Sequence, residues 1–484
     1  MHRIADEHIR GYLRPDSMNR ASGAVCVWTA TLALVLSVLA FWSQQDWLLA
    51  YFEPVAYLTI VFSFILTLQI WRDPFNPFCL IIVVGCVRFL IPGLLLTLGV
   101  EPDGEVGAVF GLMGLSDHDW QWGNALALTG LCGVVLGWLL VQSESVLDRP
   151  VNLQLSRGVL VAGMIGSLIG CLALLAFVLT NGSLGLLLTG GFRGTIIRVG
   201  SGKFFFLAYF LIGGSALLTC YFLVKGRGWY SLVPVLIAAM FYSVLGGRAR
   251  AMTPIAAGLL LLWYFRREKN SWRKISVKPR YLIFVPVMVA GAVWLSWVGI
   301  LYRGEFGASA FSEAMSLAGF WQHIQGSVFI DLGQLHSLAG AIAIGPGVLN
   351  GATFYGALSW PLSAVLPIPG RSAGVFIVEE LVGFGKDQER WGVNASLIGD
   401  AYLNFGLGGV VIVTLLLGVL LKLLYLKFRD SSLHGAIYCL ALLSAVQAFW
   451  VSIDVWPQAL TTISFTVFLV WLGNTVLRVH RAPT

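Results

Sequence analysis

ASGAVCVWTATLALVLSVLAFWSQQDWLLAYFEPVAYLTIVFSFILTLQIW, residues 21–71, holds two apolar runs, 22–42 and 53–71, parted by a short polar stretch around SQQD. Each run approaches the ~20 residues that a helix needs to cross a hydrocarbon layer of ~30 Å. A soluble fold cannot hide two such runs so close together. A membrane fold need not hide them.

The same pattern continues to the end of the chain. Further apolar runs lie near 77–99, 123–142, 158–180, 204–224, 229–246, 252–265, 281–301, 398–422, 433–452 and 457–477. Of the 484 residues, 57% are hydrophobic and 11% are charged, against roughly 25% charged in a typical soluble domain. The 18 Trp and 30 Phe suit the aromatic belts at membrane interfaces. The expectation is an all-α polytopic membrane protein with about 12 transmembrane helices and a large external loop between helices 9 and 10. Its parts are a tail 1–20, helices 1–9 over 21–301, the loop 302–397, helices 10–12 over 398–477 and a tail 478–484. The N-terminal MHRIADEHIRGYLRPDSMNR is polar and lacks the early apolar region of a cleaved signal.

The net charge of +7 is a topology signal here and does not point to nucleic acid. With the N-terminus inside, 21 basic residues fall on the cytoplasmic side and nine outside, with Arg88 inside the third run. That bias predicts both termini in the cytoplasm. The seven cysteines all lie in apolar runs, without the spacing of a metal site. No metal and no cofactor is expected. GxGxxG, GxxxxGK[ST] and HExxH patterns are absent, and GSGK at 200–203 lacks the context of a nucleotide loop. A reaction on the outer face therefore draws its driving force from its substrate.

The external basic residues stand out because that side should be poor in them. Arg248 and Arg250 sit in LGGRARAMTP, 245–254, between two apolar runs. Their guanidinium groups suit bidentate phosphate binding, or they snorkel to lipid headgroups. Arg303 follows the ninth run in SWVGILYRGEF, and Arg193 lies in LTGGFRGTIIRVGSGK. Arg371 and Arg390 belong to the long loop, as do His323, Tyr355 and Trp360. Loops of this length are seldom without function. Its aromatic residues offer flat apolar faces for sugar rings.

PGVLNGATFYGALSWPLSAVLPIPGR, 346–371, and GVNASLIGDAYLNFGLGG, 392–409, together with GGRAR between two helices, resemble the oligosaccharide repeat-unit polymerases of bacteria, the Wzy-type O-antigen polymerases. The resemblance covers the overall organisation and is strongest over about 345–410. It implies an inner-membrane, metal-independent glycosyltransferase. Such an enzyme moves a growing glycan from one polyprenyl diphosphate to the sugar end of another lipid-linked unit, making O antigen, capsule or exopolysaccharide. Its partners would be polyprenyl-diphosphate-linked oligosaccharides, membrane lipids and a chain-length regulator. On this reading Arg248, Arg303, His323 and Asp400 are catalytic. Arg193, Arg250, Arg371, Arg390, Tyr355 and Trp360 bind the substrate and its diphosphate. Asp400 stands where many relatives carry Glu. An O-antigen ligase and a non-enzymatic transporter are the alternatives.

Overall fold

The computed structural model describes residues 15–71, 73, 75–93, 113–141, 157–181, 202–226, 228–244, 248–269, 335–359, 373–383, 394–427, 432–453 and 456–479. They form an all-α, multi-pass membrane protein. In chain order the helices are α1 (Pro15–Ser43), α2 (Asp46–Trp71), α3 (Pro77–Gly93), α4 (Asp117–Leu140), α5 (Arg157–Asn181), α6 (Gly202–Val224), α7 (Val233–Val244) and α8 (Arg248–Lys269). There follow α9 (Leu335–Ile344), α10 (Ala352–Ser359), α11 (Ala373–Val382), α12 (Ser396–Lys427), α13 (Ser432–Trp450) and α14 (Trp456–Val479).

Among the described residues six helices, not about twelve, are long and apolar enough to cross a membrane. They are Ser22–Ser43, Asp46–Leu68, Asp117–Leu140, Gly158–Thr180, Leu207–Val224 and Ser396–Lys427. Hydropathy overcounts because an apolar run need not stay helical. The run 77–99 is described to Gly93 and is broken by a π-helical turn at Cys86–Leu90, and 229–246 is split between a 3-10 turn, Gly228–Leu232, and the short α7. The described apolar stretches of α8, α13 and α14 are Thr253–Tyr264, Gly435–Trp450 and Leu460–Gly473, and 281–301 lies outside the described residues. Within the expected loop 302–397, the described residues include the short helices α9, α10 and α11, with a turn over 345–351 between the first two.

The centre of the bundle is α4. Buried residues make up 78% of its membrane window, against 33% for α2 and 39% for α1. α1, α3, α9 and α12 pack around it, while α5, α6 and α14 form a second group. Ser116 and Asp119 close a reciprocal capping box at the start of α4, satisfying donors that the first turn leaves open. Trp28, Leu58 and Leu168 are exposed on the outward faces of α1, α2 and α5, as lipid contact requires.

One end of the bundle is held by a buried carboxylate. Asp73, in the turn between α2 and α3, accepts from the Tyr425 hydroxyl of α12 at 2.8 Å and from Trp263 Nε1 of α8 at 3.4 Å. Tyr264 of α8 donates to the Phe75 carbonyl at 2.8 Å and lies 3.1 Å from the Tyr438 hydroxyl of α13. Asn76 caps α3 by accepting from Cys79 N–H at 2.8 Å, with Pro77 at the first helical position. Lys422 is buried beside this cluster, its ammonium 4.4 Å from the centre of the Trp138 ring. α3, α8, α12 and α13 are thus fixed at one level.

α12 is not one straight rod. Gly406 has φ 66 and ψ −162 in its interior. A Cβ on Gly409 would lie 2.8 Å from the carbonyl oxygen of Ala401, whereas those residues would be ~12 Å apart along an unbroken helix. The chain folds back at Gly406. Gly130 and Gly133, on adjacent turns of α4, accordingly face Ile398 of one arm and Thr414 of the other. The arm after Gly406 is ~31 Å long, enough to span the hydrocarbon by itself.

Gly406→Ala forces a Cβ into a left-handed conformation, at a cost of ~1–3 kcal/mol. Gly409→Leu drives a side chain into Phe405 and Ala401, whereas a Cβ on Gly408 meets nothing within 4 Å. Thermal unfolding of the detergent-solubilised protein should show lowered midpoints for the first two. Gly408→Ala should melt with the wild type.

Candidate functional site

Four helices leave the Asp73 cluster and reach a common second level. From Tyr264 to Thr253 along α8 is ~17 Å, and from Tyr438 to Trp450 along α13 is ~18 Å. Arg88 lies ~17 Å along α3 from Pro77. On α12, Gly406 is ~28 Å from Tyr425, and the returning arm brings Asp400 back by ~9 Å. Thr253, Trp450, Arg88 and Asp400 therefore meet at one depth, in the half of the bundle away from Asp73.

The C-terminal end of α13 joins them. Gln447 Nε2 donates to Thr253 Oγ1 at 2.6 Å. The Trp450 ring lies under the Arg88 guanidinium, whose Cζ is 3.2 Å from the ring centre. Phe89 and Phe449 make an edge contact beside this pair. Just past the helix, Val451 accepts from Ser396 N–H at 2.8 Å, and Ile453 N–H donates to Asp400 Oδ2 at 2.9 Å. Arg88 is 1% exposed and occupies a π-helical turn, Cys86–Leu90. Such turns concentrate at functional sites.

Asp400 is fully buried. Its Oδ1 accepts from Thr353 Oγ1 of α10 at 3.2 Å. Asn404, one turn along, donates to Thr353 Oγ1 and to the Asp400 carbonyl, both at 2.7 Å. Gly347 and Leu349 N–H groups donate to the Tyr402 and Leu403 carbonyls at the end of the same arm. Phe354 packs on Phe405 with ring centres 5.1 Å apart. The segment 345–359 is thereby fastened to the short arm of α12, and α10 turns Tyr355 outward, 66% exposed.

These contacts bring some of the expected residues together. Arg248 and Arg250 occupy the first turn of α8, with Arg250 ~4–5 Å along the axis from Thr253, at the level of Asp400. Two arginines at a helix start oppose the helix dipole unless an anion shares the site. Tyr355 lies on the segment that Asp400 holds. Arg193, Arg303, His323, Trp360, Arg371 and Arg390 lie outside the described residues.

The sequence marks Arg88 only as an intramembrane charge, and its stacking on Trp450 of α13 becomes visible only in the fold. Glu53 and Asn124 were passed over altogether. Glu53 sits at the edge of an apolar run, and Asn124 is uncharged. No family model matches the chain, and comparison with curated proteins and with solved structures finds none that is similar.

The Asp400 geometry makes a quantitative expectation. Thr353→Val removes a donor from a buried carboxylate and should cost ~1–3 kcal/mol. Asp400→Asn should cost a similar amount, since an amide cannot accept at both positions. In a double-mutant cycle the pair should couple by ~0.5–3 kcal/mol. Additive shifts in chemical denaturation would remove the proposed contact.

Proposed function

We propose that this protein polymerises polyprenyl-diphosphate-linked oligosaccharide units at the outer face of a bacterial inner membrane. One observation carries the reading: the end of α13 holds Arg88 through Trp450, the start of α8 that carries Arg248 and Arg250 through Gln447 and Thr253, and, just beyond it, Asp400 through Ile453. Intramembrane charge at one level marks a site for a charged substrate entering from lipid. A lipid diphosphate has this chemistry.

The acceptor sugar's hydroxyl attacks the anomeric carbon of the donor glycan. A new glycosidic C–O bond forms, the C–O bond to the donor's diphosphate breaks, and the hydroxyl proton passes to a base. The released polyprenyl diphosphate takes the electron pair. Arg88, Arg248 and Arg250, joined by Arg303, Arg193, Arg371 and Arg390, bind the two diphosphates and stabilise the leaving group. His323 is the base. Tyr355 and Trp360 stack on sugar rings. Asp400 acts through position, because Thr353 and Ile453 engage both its oxygens. A chain-length regulator remains the expected protein partner.

This reading sets the orientation: the Asp73 end is cytoplasmic and segment 345–359 is external. Val348 and Lys225 are both exposed, at opposite ends of the bundle. A cysteine at position 348 should react with an impermeant thiol reagent in spheroplasts, and one at 225 only after lysis. The reverse pattern would invert the topology.

Lysine keeps the charge of arginine and loses its planar fork. Arg88→Lys and Arg248→Lys should each lower polymer synthesis by ~100-fold, since a well-placed donor to a leaving group is worth that much. The measurement is glycan chain length in a strain lacking the native protein, at matched variant levels. Full-length polymer from alanine variants at both positions would falsify the diphosphate assignment.

A further inference from the structure

A second polar group lies further out along α3 than Arg88. Gly93 is ~7–8 Å beyond Arg88 on the helix axis. A Cβ on Gly93 would be 3.1 Å from Asn124 Oδ1 of α4. Asn124 Nδ2 donates to Glu53 Oε1 of α2 at 3.2 Å and lies 3.4 Å from the Tyr57 hydroxyl. Glu53 and Tyr57 share one face of α2, four residues apart, and both are half-buried. Leu335, at the start of α9, closes the seam beyond Gly93.

This group has more acceptors than donors. Asn124 Oδ1 is buried and has no hydrogen-bond partner among the described residues. Among the described residues Glu53 accepts only through Oε1. Packing does not explain it. An ionisable side chain within a membrane span is costly unless it serves a purpose, and a buried acceptor without a partner costs ~1–3 kcal/mol. The ligand that completes the site must bring hydrogen-bond donors.

A lipid phosphate is repelled by the carboxylate. A metal ion is kept from the space between Glu53 and Tyr57 by the Asn124 amide hydrogens. A polyhydroxylated, uncharged ligand fits: its hydroxyls donate to Asn124 Oδ1 and to Glu53, and Tyr57 supplies a hydroxyl of either sense.

We infer that Glu53, Tyr57 and Asn124 form a saccharide subsite that takes hydroxyl groups of the lipid-linked unit. The inference rests on the reading above, and the vertical order agrees with it. A glycan on a membrane-anchored diphosphate extends outward from its phosphates, and this seam lies outward of Arg88. The seam is a binding element, whereas the arginines serve the leaving group.

The test uses the purified full-length protein in proteoliposomes. The probe is lipid-linked repeat unit extracted from a strain that lacks the polymerising step, with the free oligosaccharide released from it by mild acid. Glu53→Gln, Tyr57→Phe and Asn124→Leu are compared with the wild type. Expected is a rise in KM of ~10-fold or more with kcat little changed, the sign of lost ground-state binding. The free oligosaccharide should raise the melting temperature of the wild type and not of Glu53→Gln. Wild-type KM and an unchanged sugar-induced melting shift in all three variants would overturn the subsite while leaving the polymerase reading intact. A sugar-induced shift lost in Glu53→Gln, from a wild-type protein that makes no polymer, would keep the subsite and refute the polymerase. No shift and no polymer from the wild type would refute both.

Discussion

The arrangement depends on the buried carboxylate of Asp73. Lipid tails are as apolar as leucine side chains, so apolar packing alone fixes poorly how far one membrane helix slides past another. Directional polar contacts fix it. Tyr425 and Trp263 reach Asp73, and Tyr264 ties the Phe75 carbonyl to Tyr438. Each contact comes from a different helix or from its neighbour in the cluster. Leaving such a buried acceptor without a donor typically costs ~1–3 kcal/mol. The cluster thus holds α3, α8, α12 and α13 in register, and the residues ~17–20 Å further along arrive together.

The second constraint is the fold-back at Gly406. Non-helical backbone inside a membrane survives only where protein satisfies its polar groups. Here Gly347 and Leu349 serve the end of the short arm, while Val451 and Ile453 meet its start and its carboxylate. Every partner belongs to a segment that itself turns within the bundle. Segment 345–351 and the α13–α14 junction are therefore braced against the same short arm. Asp400 sits where the two braces meet, which gives its complete burial a physical cause.

Much of this architecture can be read in the sequence, and the failures have distinct causes. The runs 22–42, 123–142, 158–180 and 204–224 correspond to α1, α4, α5 and α6, because nothing in them interrupts the helix. The run 398–422 also belongs to a helix, yet its fold-back is invisible to hydropathy. GLGG offers the glycine for a left-handed turn, but a reversal also needs Pro346, Phe354 and the 347–349 amides nearby, which are distant in sequence. GGRAR read as a tight connection between apolar runs, and the arginines begin α8 itself. Arg88 was legible as a charge among apolar neighbours. Its pairing with Trp450 was not, since the residues meet only after α3 and α13 share an anchor.

The π-helical turn around Arg88 connects the two constraints. A π-turn inserts a residue, so it advances everything beyond it by ~100° around the helix. Before the turn, α3 presents Cys79 and Ile82 to the core. Within it, Arg88 is directed at Trp450. Beyond it, Gly93 faces Asn124 and Leu335. A regular helix would not present both groups in these directions from an N-terminus already fixed by Asn76 and the Asp73 turn. The inserted residue lets one short helix serve the cationic level toward α13 and the acceptor-rich seam toward α2 and α4. Because α3 is capped at the Asp73 cluster, neither level can shift without disturbing that anchor. A guanidinium held against an aromatic face is fixed in direction, so the π-turn sets the level of the charge as well as its facing.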